Sequence, residues 1–138
     1  MQIDVDDLIR AARAARAFAY APYSRFLVGA AVLTRNGRVF AGCNVENASY
    51  GLSNCAERTA LFCAVAAGFG LGDLTHLAIV ADTEEPVAPC GACRQVMLEL
   101  GGGNLVVVQA NLRGAVAQTT AEALLPAAFS LPALNGNS

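Results

Sequence analysis

Apolar residues at Val5, Leu8, Ile9, Ala12, Ala15 and Ala19 recur every three or four positions, while Arg10, Arg13 and Arg16 fall on another face. That spacing predicts an amphipathic helix over residues 5–20. Asp4, Asp6 and Asp7 crowd its start and the arginines follow, an order that suits the helix macrodipole, with Asp4 placed to cap. The rhythm changes after Ala21-Pro22-Tyr23. Residues 26–33 and 39–45 read as strands, and Asn36-Gly37 between them is the pair favoured in a tight hairpin turn. A polar loop over 47–54 leads into residues 55–67, an alanine-rich stretch free of Gly and Pro that Gly68 ends, which predicts a second helix. Residues 76–81 form a short apolar run typical of a buried strand, followed by a Pro-containing loop and a third helix over about 91–100. Gly101-Gly102-Gly103 stops that helix; it lacks the spacing and preceding strand of a nucleotide-binding loop and reads as a connector. Residues 105–110 give another strand, with a turn at Arg113-Gly114 and a short strand near Val116. A last helix over 120–125 follows, capped by Thr120 and closed by Pro126. The tail beyond Leu134 is expected to fray. Helices alternating with strands around one hairpin predict a three-layer α/β/α sandwich with a mixed sheet of about five strands.

Composition adds constraints to that outline. A chain of 138 residues fits one domain spanning 1–138. It is 55% hydrophobic and only 14% charged, lean in charge for a small domain with a large surface fraction, so some apolar surface is expected to enter subunit contacts. A net charge of -2 does not provide the positive field that binding a phosphate backbone requires, which argues against nucleic acid as a partner. No stretch approaches the ~20 apolar residues of a membrane span, and acids stand where a signal peptide needs bases. A soluble cytoplasmic protein is expected, with no membrane partner.

The cysteines carry the first chemical signal. Five is an odd count, and Cys90-Gly91-Ala92-Cys93 has a spacing that in a reducing compartment indicates metal or redox chemistry. A catalytic tetrahedral zinc takes three protein ligands and leaves the fourth position to water. Cys90 and Cys93 supply two from one helix start, and Cys55 is the best third candidate. It opens another helix, where unpaired N–H groups and the dipole favour the thiolate. A structural zinc would need a fourth ligand, and the sole histidine, His76, opens a buried strand. Cys43 lies in a strand and Cys63 inside the second helix, so both are expected to be small buried hydrophobes. Glu57 has two readings. Asn54 followed three residues later by Glu57 matches a capping box, but the helix start that carries Cys55 also sets this carboxylate beside the metal's open position, which favours a proton shuttle.

Cys55-Ala56-Glu57 together with Pro89-Cys90-Gly91-Ala92-Cys93 resembles the signature of the zinc-dependent cytidine deaminase family in its three-cysteine form. Four longer segments resemble the small bacterial-type nucleoside enzymes. They are Tyr20-Ala21-Pro22-Tyr23-Ser24-Arg25-Phe26-Leu27-Val28-Gly29, Gly42-Cys43-Asn44-Val45-Glu46-Asn47-Ala48, Cys55-Ala56-Glu57-Arg58-Thr59-Ala60 and Cys90-Gly91-Ala92-Cys93-Arg94-Gln95. The likeness runs over about residues 3–130; the tail after Phe129-Ser130 departs from the family pattern.

The resemblance implies one Zn²⁺ per chain on Cys55, Cys90 and Cys93, and hydrolytic deamination of cytidine and deoxycytidine to uridine and deoxyuridine with release of ammonia, a step of pyrimidine salvage. Water made acidic by the metal passes its proton to Glu57 as hydroxide attacks C4 of cytosine; Glu57 protonates N3 and then relays a proton to the exocyclic amine. Three thiolates leave the cluster formally negative, and Arg58 resembles the family arginine that hydrogen-bonds them, with Arg94 assisting from the other helix. Asn44 and Glu46 match residues that bind the ribose hydroxyl, and the Ala56 N–H matches the donor to the pyrimidine O2. Phe26 and Phe129 match aromatics that stack on the base, Phe129 from a neighbouring subunit, and Tyr50 matches a residue at a shared site edge. The family also implies a homotetramer with shared active sites. The rival readings are a deaminase of modified nucleosides, an RNA- or DNA-editing deaminase, and a non-enzymatic zinc or redox module.

Overall fold

A computed structural model describes residues 2–131. Helix α1 spans Val5–Arg16 and opens with a reciprocal capping box: Asp7 N donates to Asp4 Oδ1 at 2.8 Å, and Asp4 N donates to Asp7 Oδ2 at 3.2 Å. The helix ends a turn before the apolar periodicity does. Tyr20 leaves it to bridge Val45, donating from its N to Asn44 O at 2.9 Å and accepting from Glu46 N at 2.8 Å. A long-range pairing thus outweighs local helical preference there.

Strands β1 (Val28–Thr34) and β2 (Val39–Cys43) form the hairpin around Gly37, whose φ of 88° only glycine adopts readily. Both are shorter than the apolar runs that announce them. The reason is Asn44, whose side chain replaces the ladder: Val28 N donates to its Oδ1 and its Nδ2 donates to Phe26 O, both at 2.8 Å. A short 3-10 turn over Tyr50–Leu52 precedes α2 (Ala56–Ala66). The remaining elements are β3 (Leu74–Ala81), α3 (Gly91–Gly101), β4 (Val106–Asn111), β5 (Val116–Thr120) and α4 (Ala121–Leu124), the last capped by the Thr120 hydroxyl.

The five strands lie in the order β2-β1-β3-β4-β5. Only β3 and β4 are parallel, and α3 is the crossover that joins them. Successive β1 residues point to opposite faces, so Ala31 meets Leu8, Ala12, Ala78 and Val108 under α1, while Ala30 and Val32 meet Ala60, Leu61, Ile79 and Met97 under α2 and α3. The chain therefore has the three-layer α/β/α arrangement with a mixed sheet. Two glycines set the layer spacing. A Cβ on Gly29 would lie 1.9 Å from Ala12 O, and one on Gly42 would lie 2.6 Å from Ala60 N.

Two expectations about cysteine are corrected or limited. Cys63 is exposed, because it lies with Phe62 and Val65 on the outer face of α2, which none of the described residues covers. Cys43 is half-buried, and burial raises its thiol pKa. Among the described residues no helix is long and apolar enough to cross a membrane. The tail beyond Leu134 lies outside the described residues.

Candidate active site

Cys55 and Cys90 are the residues immediately before α2 and α3, both with extended backbone (φ -78°, ψ 157° and φ -70°, ψ 168°). Neither side chain is spent on capping its own helix, so both sulfurs project beyond the helix ends. Cys93 sits in the first turn of α3 with no exposure. The Cys55 and Cys90 sulfurs are 3.7 Å apart, Cys90 and Cys93 3.4 Å, and all three lie within 4.8 Å of one another. Tetrahedral zinc with Zn–S bonds of ~2.3 Å needs sulfurs about 3.8 Å apart, so donor type, number and spacing suit that ion.

The sulfurs share negative charge unevenly. A hydrogen bond from Cys93 draws the Cys55 thiol down to about 5 against the opposing effect of burial, and Arg58 adds to it, its Nη2 lying 3.1 Å from Cys55 Sγ. Cys93 moves strongly upward, because its proton is held by Cys55, because it is buried and because Glu57 is near. A trio of sulfurs that already ionises at one member and holds a shared proton is suited to a cation, whose binding displaces that proton.

Glu57 projects from the first turn of α2 and is 5% exposed. Burial raises its pKa, and the charge on Cys55 raises it further. The capping-box alternative is not realised. Asn54 N donates to Val45 O at 2.9 Å, and Asn54 Nδ2 donates to Thr59 Oγ1 at 3.1 Å. Among the described residues, none meets the buried Arg58 Nε.

Arg94 departs from the expected role beside the sulfurs. Its Nε donates to Pro89 O at 2.9 Å and its Nη1 to Leu124 O at 3.1 Å, so it ties the start of α3 to α4.

Asn44 and Glu46 flank Val45, which pairs with Asn54 one residue before Cys55. Glu46 accepts from Tyr23 N at 3.0 Å, from Ser24 N at 3.1 Å and from the Ser24 hydroxyl, and these bonds hold its pKa low. Asn44 is half-buried and engaged with Phe26 and Val28 as described above. Ala56 is fully buried at the first position of α2. Phe26 and Tyr50 are exposed, and Tyr50 meets Tyr23 edge-on at 6.2 Å between ring centroids. A concavity of about 330 Å³ opens among Tyr23, Ser24, Glu46, Tyr50 and Ser53. Phe129 is 70% exposed and lines a different groove, along α3 with Leu71, Gln95 and Leu98, where its carbonyl accepts from Gln95 Nε2 at 3.1 Å. Within one chain it is therefore not gathered with the concavity beside Glu46.

Sequence reasoning singled out neither Ser24 nor Thr59. Ser24 anchors Glu46, and Thr59 sits four residues after Cys55 with its hydroxyl donating to the Cys55 carbonyl at 3.0 Å. The i to i+4 spacing from a metal ligand was the available signal for Thr59.

A three-layer sandwich that brings two helix starts and three cysteines to one point defines a zinc-site protein of the nucleoside and nucleotide deaminase class. Residues 3–109 match the cytidine and deoxycytidylate deaminase zinc-binding region, and the chain belongs to that family. It is 52% identical over 128 residues to a cytidine deaminase of Sporosarcina psychrophila, covering 93% of each chain. The crystal structure of cytidine deaminase from Burkholderia pseudomallei superposes with a TM-score of 0.91 at 61% identity, covering 92% of this chain and 100% of that one. For the cytidine deaminase of Mycobacterium tuberculosis the values are 0.79 and 43%, with coverage of 94% and 100%.

Proposed function

We propose that this chain is a hydrolytic deaminase of cytidine and deoxycytidine, forming uridine or deoxyuridine and ammonia, with 1–138 working as one domain in cytoplasmic pyrimidine salvage. The observation that carries the reading is the meeting of three sulfurs at tetrahedral spacing with the buried Glu57 carboxylate two residues from Cys55. Family membership fixes the reaction class, and the exposed concavity beside Glu46 suits a small polar ligand better than a polymer.

Cys55, Cys90 and Cys93 would hold the metal, which when bound would make a water molecule more acidic and so supply a nucleophile at neutral pH. Glu57 takes a proton from that water, places it on the pyrimidine N3, and relays a second to the exocyclic amine, so one carboxylate serves first as base and then as acid. Arg58 offsets the charge on the sulfurs through Cys55. The Ala56 N–H, at the first position of a helix, would donate to the pyrimidine O2. Asn44 and Glu46, held in place by Val28, Phe26, Tyr23 and Ser24, favour a nucleoside over a free base by offering their remaining hydrogen-bonding capacity to ribose hydroxyls.

Phe26 stacks on the base and Phe129 does so from an adjacent subunit of a homotetramer, with Tyr50 at the shared edge of the site. The lining of the Phe129 groove, which shares no residue with the concavity beside Glu46, and the exposed apolar face of α2 both support that assembly. The decisive test is incubation with cytidine while its absorbance is followed and ammonia assayed. Turnover is expected, with about one zinc per chain. No ammonia from a zinc-loaded protein would refute the reading.

A further inference from the structure

The peptide that joins the sugar-facing strand to the first metal ligand is held by a closed set of hydrogen bonds that the reaction itself does not use. Val45 and Asn54 exchange two backbone bonds, Val45 N to Asn54 O at 3.0 Å and Asn54 N to Val45 O at 2.9 Å. The Asn54 side chain then turns forward, and its Nδ2 donates to Thr59 Oγ1 at 3.1 Å. The Thr59 hydroxyl passes its own proton on to Cys55 O at 3.0 Å, and Thr59 N donates to the same carbonyl at 3.0 Å. Asn54 and Thr59 thus bracket Cys55 from both sides in sequence, and both are partly sheltered from water.

A threonine hydroxyl bonded to the carbonyl four residues back is common in helices and by itself carries no special role. Two further observations set this one apart. The accepting carbonyl belongs to a metal ligand that is also the residue capping the helix, so its backbone torsions decide where Sγ points. The hydroxyl is moreover not left to rotate: Asn54 occupies its acceptor side, which orients its proton toward Cys55 O. Thr59 is also seated against β2, since a Cβ on Gly42 would come within 2.9 Å of Thr59 Cβ. The strand, the loop and the ligand are in this way locked to one another.

We propose that Asn54 and Thr59 are a positioning relay that fixes the Cys55 sulfur for zinc and couples it to the Asn44–Glu46 segment. The zinc part rests on the metal reading alone, while the coupling to Asn44 and Glu46 rests on the proposed nucleoside function. Neither residue touches the metal or the reacting atoms. Their work is to fix the Cys55–Ala56 peptide, and with it the direction of the Cα–Cβ bond from which the Cys55 sulfur is presented to the metal. Groups that orient metal ligands from behind typically change metal affinity ~10–100-fold when lost.

The test measures the rate at which the zinc-loaded protein gives up its metal to a coloured chelator, with no nucleoside present. Thr59→Val keeps the branched shape and removes the hydroxyl, Thr59→Ser restores the hydroxyl without the methyl, and Asn54→Ala removes the bond that orients it. Thr59→Val and Asn54→Ala are each expected to speed zinc release about tenfold, and Thr59→Ser to stay within about twofold of the parent. Because the two act as one relay, the double variant is expected to release zinc no faster than the quicker single one. Leu8→Ala, under the opposite face of the sheet, controls for general loosening. It is expected to lower the thermal midpoint and leave zinc release unchanged.

Parent-like release from both Thr59→Val and Asn54→Ala overturns the relay. So does a double variant whose effects multiply, or a Leu8→Ala protein that loses zinc as quickly. If Thr59→Val does not fold, Asn54→Ala and Thr59→Ser still decide the matter, since the first must accelerate release and the second must not. The coupling is read separately, as a rise in KM for cytidine that exceeds any fall in kcat in Asn54→Ala. A parent with no turnover would sink the nucleoside reading and leave the zinc measurement standing.

Discussion

At the scale of single residues, Glu57 shows why a helix start is hard to interpret from sequence. A carboxylate three positions after an Asn serves equally well as half of a capping box or as a reactive group, because both uses draw on the same geometry. What decides between them is a contact nine residues away in sequence, the bond from Asn54 N to Val45 O, which takes the donor that capping would need. Glu57→Gln is expected to bind zinc as the parent does and to lose roughly 10²–10⁴-fold in kcat, the usual scale of general acid–base catalysis. Metal analysis beside steady-state kinetics checks it; unchanged kcat would remove Glu57 from the mechanism. Glu46 gives a second prediction, with a sign. The Ser24 hydroxyl and backbone bonds hold its carboxylate below the ordinary 4.5, so the folded state binds this proton less readily than the unfolded chain. That contribution is present above about pH 4.5 and is lost as the pH falls through the lowered folded value. Ser24→Ala is expected to return the Glu46 titration, followed by carboxyl NMR, toward 4.5. A pKa left where the parent has it would show that the backbone donors alone suffice.

At the scale of elements, the sequence pattern located every α-helix and strand among the described residues but not the 3-10 turn over Tyr50–Leu52, and it misjudged ends where a side chain or distant strand took over the backbone bonding. Tyr20 and Asn44 are the two clear cases, and both lie beside the proposed sugar-binding residues. Close approach of layers was equally hidden. Gly29 and Gly42 look like ordinary strand glycines in the sequence, yet each faces backbone atoms that a methyl group would strike. Replacing either by alanine is expected to cost about 1–3 kcal/mol in urea unfolding, the range for overpacking a tight contact. Their second effects differ. Gly42 backs the first turns of α2, where Ala56 O and Thr59 Cβ lie within 3.0 Å of the added carbon, so Gly42→Ala also displaces Cys55 and weakens zinc binding. The atoms nearest an added carbon at Gly29 are those of Ala12 and Arg16 in α1, and Gly29→Ala is expected to keep its metal. Equal zinc loss in both variants would mean that the site senses overall stability and not the seating of α2.

At the scale of the whole molecule, α2 is the element whose composition fits one chain least. It is apolar on every side, a pattern that belongs to a helix covered all round, yet Phe62 and Val65 are 47% and 44% exposed and Cys63 is exposed beside them. The expectation of a buried Cys63 rests on its place within this apolar helix, and the described residues leave that part of the helix exposed. Burying such a face against like faces is the economical solution for a chain with 14% charged residues. The same helix carries Glu57 and Arg58 at its other end, so an assembly built on α2 stiffens the element that supports the metal site. Phe62→Glu places a charge in the middle of that face, far from any metal ligand along the helix. It is expected to split the proposed tetramer in sedimentation while each chain keeps its fold and its zinc. Turnover is nevertheless expected to fall by at least tenfold, because Phe129 then has no adjacent site to complete; dispersed chains that deaminate cytidine at the parent rate would show that every chain builds its site alone.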